Sequence, residues 1–296
     1  MLLRRKRSKG LWSPTVAGTG WGESTYAELS WDKSRSAATR WAVFGVVVGV
    51  LVALLLFMPA AWLARGVAAA TSNKLILADA RGTIWDGSAM VVLTGGPESR
   101  DASALPGRLD WTLRPSGLGV ELRARQACCL NGAMVMRIRP GLGRMSITLA
   151  PSPGWTGQWP SAWLAGLGTP WNTLQLGGSL KLVSPGLTIE SVQGRWSVKG
   201  RAELEVSGAS SRLTTLDSLG SYLVTLSGDP AQAGVAQIKL VTQEGALQLS
   251  GDGTWSPGGV RFRGEARANA GDEAALTNLL NIIGRREGAR SVISIG

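Results

Sequence analysis

The chain of 296 residues contains no histidine, and its only cysteines, Cys128 and Cys129, are adjacent. Without imidazole there is no Ser/His/Asp triad, no histidine-ligated metal and no side chain suited to proton transfer near neutrality. Two cysteines cannot build a four-cysteine zinc cage. No phosphate-cradling glycine loop and no dinucleotide fingerprint occurs. Carboxylates such as Glu190, Glu203, Glu205, Asp252 and Glu265 mostly alternate with basic residues, which reads as solvated charge rather than the acid and base of a glycosidase. These absences argue against an enzyme. No catalytic residue, cofactor or metal site is expected.

What is abundant is glycine, at 40 residues, and tryptophan, at 13, while Phe 3 and Tyr 2 are few. Glycine at that level suits many tight turns rather than long helices. Residues 41–63, WAVFGVVVGVLVALLLFMPAAWL, carry no charge. At ~1.5 Å per residue such a helix spans about 34 Å, enough for a bilayer core of ~30 Å. Trp41 and Trp62 stand near its ends, where indole rings favour the membrane interface, and Pro59 is placed to kink or end it. A cleaved signal peptide is the rival reading, since Ala68, Ala69 and Ala70 resemble a cleavage site. The length and position of the run favour an uncleaved anchor.

The net charge is +11, and eight basic residues precede the apolar run against three acidic ones. Arg4, Arg5, Lys6, Arg7, Lys9 and Arg40 among them predict a cytoplasmic N-terminus and an exported C-terminal part, which in a Gram-negative cell means the periplasm. The expected organisation is a basic, partly disordered cytoplasmic tail over 1–40, a transmembrane helix over 41–63, a linker over 64–71 and a periplasmic β-rich domain over 72–296. Residues 26–40 either extend the helix or lie on the inner leaflet. The basic cluster serves as a topology signal or also binds anionic lipid.

Beyond the anchor, apolar and charged residues alternate. Val120, Leu122 and Ala124 interleave with Glu121, Arg123 and Arg125; Met134, Met136 and Ile138 with Arg137 and Arg139. Ala202, Leu204 and Val206 interleave with Arg201, Glu203 and Glu205; Val260, Phe262 and Ala266 with Arg261, Arg263 and Glu265. A period of two with one charged face predicts antiparallel strands buried on one side. Turn signals such as Pro140-Gly and Pro185-Gly separate them. The fold class is therefore mainly β: one transmembrane helix, then a curved antiparallel meander. A Gly-Trp-Gly echo near residues 82, 194 and 253 suggests two β units, 72–170 and 171–296. Residues 160–167 read as a short helix. Asp272 is placed to cap a helix through Ile283, with Leu276, Leu279, Leu280 and Ile283 on one face and Gly284 as its stop, before a last strand at 291–295.

Three strings are familiar together: Leu77-Ala-Asp-Ala-Arg-Gly-Thr-Ile-Trp-Asp-Gly-Ser-Ala, Leu105-Pro-Gly-Arg-Leu-Asp-Trp, and Trp163-Leu-Ala-Gly-Leu-Gly-Thr-Pro-Trp. With the closing Leu-Leu helix and Arg290-Ser-Val-Ile-Ser-Ile, their order resembles protein N of the bacterial type II secretion system, over roughly residues 41–296. The resemblance implies a noncatalytic inner-membrane subunit, a scaffold for export of folded periplasmic proteins across the outer membrane. It implies other inner-membrane secretion subunits as partners, beside the lipid bilayer. A different class of reading is an AsmA-like β groove that binds or shields lipid. Nucleic acid is not expected as a partner, nor a small-molecule ligand other than lipid.

Four groups of residues stand out. Gly82, Thr83, Trp85, Gly87, Ala89 and Trp111 belong to the family strings and read as a structural turn with Trp85 in the core, or as a partner contact. Trp155, Trp159, Trp163 and Trp171 form either a buried cap on the sheet or an exposed partner surface. Cys128 and Cys129 form a vicinal disulfide, remain two thiols, or bridge to another chain. The basic residues of the tail set topology.

Overall fold

The computed structural model describes residues 21–228, 234–256 and 259–296, and side chains from Ala38 onward. Arg4, Arg5, Lys6, Arg7 and Lys9, with the expected disorder of the first part of the tail, lie outside the described residues. The chain divides into a unit ending at Leu56 and a compact unit, Phe57–Gly296.

The first unit holds α1 (Trp21–Leu56), so residues 26–40 do continue the helix. Its segment Ala38–Leu56 has a mean hydropathy of 2.2, long and apolar enough to cross a membrane. Every side chain of that segment is exposed. The helix ends earlier than residue 63, because Pro59 cannot continue it. Residues 64–71, expected as a linker, belong mostly to α2 (Ala60–Ala70). This helix lays Leu63, Ala64 and Val67 on the sheet, so burial rather than propensity decides the segment.

The second unit is built on one antiparallel sheet of sixteen strands. In chain order these are β1 (Leu75–Gly82), β2 (Asp86–Thr94), β3 (Ala102–Ala104), β4 (Leu109–Ser116), β5 (Gly119–Gln126), β6 (Ala133–Gly141), β7 (Arg144–Leu149) and β8 (Gly157–Pro160). Next come β9 (Leu176–Val192), β10 (Arg195–Ser211), β11 (Gly220–Gly228), β12 (Ala236–Glu244), β13 (Leu247–Ser256), β14 (Gly259–Ala268), β15 (Arg285–Glu287) and β16 (Arg290–Ile295). They pair as a meander, β1-β2-β4-β5-β6-β7-β9-β10-β11-β12-β13-β14-β16-β15, with β3 on β2 and β8 on β9. The sheet does not divide near residue 170. The 17-residue β9 and β10 pair through the middle and hold the two proposed β units together. Their register shifts twice, between Arg201 and Glu203 and between Ser207 and Ser210. Gly200, at φ +93, sits at the first shift, where a Cβ would meet the Gly186 carbonyl. Such bulges let a very long sheet curve.

The register puts the apolar residues on one face throughout. Trp111 pairs with Ala124, Leu122 with Met136, Ile138 with Ile147, and Ile147 with Ile189. Val198 faces Ile189, Leu204 faces Val224, Val224 faces Leu240, and Gly253 faces Phe262. Two clusters close over this face. One gathers α2, Leu77, Ala89, Val91, Leu105 and Trp111. The other gathers α3 (Trp171–Leu174) and α4 (Glu273–Ile283) over Ala209, Tyr222, Leu247 and Ala266. Burial pushes the pKa of the Tyr222 hydroxyl well above the ordinary phenol range, and the hydroxyl donates to the Leu247 carbonyl at 3.0 Å. Residues 161–167 form a 3-10 helix. Helix α4 has the predicted limits and face, but the Asp272 side chain makes no cap bond; the Glu273 carboxylate accepts from the Gly271 amide at 3.0 Å instead.

Leu276, on the inner face of α4, is fully buried. Leu276→Ala is expected to destabilise the sheet unit by about 2–5 kcal/mol, the range for emptying a leucine site in a packed core. Denaturant unfolding in detergent checks this, with exposed Asn278→Ala as the near-neutral control.

Candidate functional site

The first family string makes the corner between β1 and β2. Thr83 closes it: its amide donates to the Asp86 carbonyl at 2.8 Å, and its hydroxyl accepts from the Asp86 amide at 3.1 Å. Gly82 has φ +84, and a Cβ there would lie 2.5 Å from the Asp86 carbonyl oxygen. Gly87 is in β conformation but lies under the Trp111 ring, which a Cβ would meet at 2.6 Å. Ala89 and Trp111 are buried, and the Trp111 indole donates to the Ile84 carbonyl at 3.2 Å. Trp85 is only half-buried, with its carbonyl accepting from the Leu113 amide. The tryptophan that fills the core here is therefore Trp111, while Trp85 takes the intermediate position. The chain arriving from α1 is fastened to the same corner, since Ile84 donates its amide to the Met58 carbonyl at 2.9 Å and Pro59 bridges to Thr83.

A contact that sequence reasoning missed ties two of the family strings together. Arg108 donates to the Asp79 carboxylate at 2.7 Å, to the Asp79 carbonyl, and to Ser88. Asp79 sits in a bulge of β1 at φ +48, so its side chain turns toward Arg108. The signal was present, because Arg108 and Asp79 both lie inside the quoted strings, but sequence spacing does not reveal a pair 29 residues apart. On the polar face, Glu121 accepts from Arg123 at 2.7 Å and from Arg137 at 3.0 Å. An open cleft of about 390 Å³ lies beside it, lined by Arg81, Asp86, Ser88, Asp110, Thr112, Arg123 and Arg125. Among the described residues, no group of His, Cys, Asp and Glu is placed to hold a metal ion.

The tryptophans separate. Trp159 and Trp163 stack with centroids 6.5 Å apart and pack on the α2 side of the core, and the Trp163 indole donates to the Ser103 carbonyl at 3.0 Å. Trp155 is half-buried and Trp171 is 37% exposed, and neither packs in the cluster that holds Trp159 and Trp163. Cys128 and Cys129 are joined as a vicinal disulfide. Cys129 is buried beside the stacked tryptophans, and its carbonyl accepts from the Gln158 amide, while Cys128 is exposed. Arg40 is exposed within α1.

Between the two covered ends the apolar face of the sheet is bare. Leu113, Met136, Ile147, Leu149, Leu187, Ile189, Leu226, Ile238 and Phe262 are all half-buried although no helix lies over them. Hydrogen bonds with Arg108 first, then Arg81, hold the Asp79 carboxyl below the usual carboxylate range, and Arg123, then Arg137, do the same for Glu121. A depressed folded-state value contributes stability above the unfolded-state value and loses it as pH falls through the folded one. The protein is expected to lose stability on the acid side, with a shallower slope for Asp79→Asn, Glu121→Gln; unfolding midpoints measured against pH check this.

Comparison with known proteins adds the context of this architecture. No curated protein and no solved structure matches the chain. The family described as type II secretion system (T2SS), protein N, matches residues 73–294, from the start of β1 to the end of β16. The match takes in the Thr83 corner, the Arg108 clamp and the whole meander, and on it the chain belongs to the type II secretion system protein N family.

Proposed function

We propose that this protein is a noncatalytic inner-membrane scaffold of the type II secretion machine, contributing to export of folded periplasmic proteins across the outer membrane. In this reading α1 anchors it with the basic tail in the cytoplasm and the sheet in the periplasm. Family membership supports the system, and the charge at the N-terminal flank supports the orientation.

The observation that carries the scaffold role is the state of the polar face. The carboxylates of Asp79, Glu121, Glu190, Glu203, Glu205 and Glu265 each lie within ion-pair distance of an arginine or lysine, rather than converging on a substrate-sized cavity. The sheet edges also suit selective contact. β1 carries the charged Asp79 bulge, and β15 is three charged residues long, both devices that blunt unspecific strand pairing. Beyond β15 the outer edge of β16 is uncovered at 293–295, with Ile295 53% exposed. A partner strand added there is the mode the geometry favours.

A photocrosslinker at Ser294 is expected to trap another inner-membrane secretion subunit, and one at Asn278 on α4 is expected not to. Unchanged export of folded proteins after deletion of the gene would sink the assignment to the machine.

The bare apolar face favours a second reading in which it shields a lipid acyl chain. Native mass spectrometry of the detergent-purified protein tests it. Co-purifying phospholipid that is lost in Ile147→Asp, Ile189→Asp supports the groove, and an unliganded chain in both forms refutes it.

A further inference from the structure

Register fixes which turns share an end of the sheet. The turns at 83–85, 117–118, 142–143 and 193–194 lie at one end, because each closes a hairpin between strands that alternate in direction. The vicinal disulfide and helices α3 and α4 lie at the other. The first of these turns is the corner that holds Met58 and Pro59. Met58 follows the last residue of α1 by two positions, so the chain keeps this corner within about 7 Å of the helix end, at ~3.5 Å per residue.

At that end two neighbouring hairpins present bare leucines. Leu118 occupies one position of the two-residue turn between Ser116 and Gly119, and Leu142 one position of the turn between Gly141 and Arg144. Their exposures are 93% and 107%. Turn geometry does not ask for leucine. The neighbouring glycines, Gly117 at φ +59 and Gly143 at φ +66, supply the unusual dihedrals. A single exposed leucine needs no explanation. Two at adjacent tips, about 10 Å apart across two strand spacings, form a pair that water disfavours.

Arginines flank both tips. Arg114, Arg139, Arg144 and Arg195 are exposed and have no ion-pair partner among the described residues. The carboxylates on the same strands are engaged or remote. Glu121 is held by Arg123 and Arg137, Glu190 by Lys199, and Asp110 stands at the far end of β4.

We propose that the Leu118 and Leu142 hairpins, with Arg114, Arg139, Arg144 and Arg195, dock on the anionic phospholipid surface of the membrane that α1 crosses. The leucines enter the interface and the guanidinium groups meet lipid phosphates. The anchor then fixes where the sheet is, and the hairpins fix how it stands. This inference rests on α1 spanning a bilayer, but not on the secretion role or on the acyl-chain groove.

The test uses the full chain in lipid nanodiscs. Incorporation alone checks the anchor, independently of the hairpins. An environment-sensitive nitrobenzoxadiazole label is placed on Leu118→Cys, Leu142→Cys or the control Asn278→Cys, with Cys128 and Cys129 kept oxidised so that the new thiol reacts alone. With phosphatidylglycerol in the disc, a several-fold rise and blue shift of emission is expected at 118 and 142 and none at 278. The rise should fall in high salt and in Arg114→Gln, Arg139→Gln, Arg144→Gln. Equal emission at all three positions, or signals at 118 and 142 that ignore phosphatidylglycerol, would overturn the proposal.

Discussion

A sheet with one apolar face must find cover for it, and nearly every feature of this unit answers that demand. The alternation of side chains puts most water-averse residues of the consecutively paired strands, all but the charged β15, on the same side. The chain supplies few helices with which to cover them. Helix α2 covers the β1 margin, and α4 with the short α3 covers the other core. Curvature, promoted by bulges such as that at Gly200, shields the middle in part. Even Pro59 serves the same demand, since breaking the long helix there frees the following residues to lie on β1.

Much of this was legible in the sequence, and for a definite reason. Period-two alternation is a local property, so the strands containing Leu122, Met136, Leu204 and Phe262 could be read directly. The same holds for α4, whose leucines recur at helical spacing and are buried as expected. What failed was non-local. Whether 64–71 is linker or helix depends on a sheet margin that the segment itself does not encode. The supposed division near residue 170 ignored that β9 is long enough to pair with β7 along one half and β8 along the other. The Asp272 cap was chemically reasonable, yet Glu273 reached the turn instead. Among the candidate residues, Gly82 takes a positive φ at the corner, whereas Gly87 lies in a strand under the Trp111 ring.

The candidate site is thus less a pocket than a corner and a face. The corner joins family strings that are far apart in the chain, with Arg108 clamping the Asp79 bulge and Trp111 closing over Gly87. Met58 and Pro59 are bonded into the same turn.

The meander has one more consequence, for how the protein comes into being. Almost every strand lies beside its predecessor in the chain, and the long path from β9 to β14 skips none. Each hairpin can therefore zip onto a finished ladder as soon as it emerges, without awaiting a distant partner. The newest strand forms the rim as far as β14, after which β16 enters between β14 and β15.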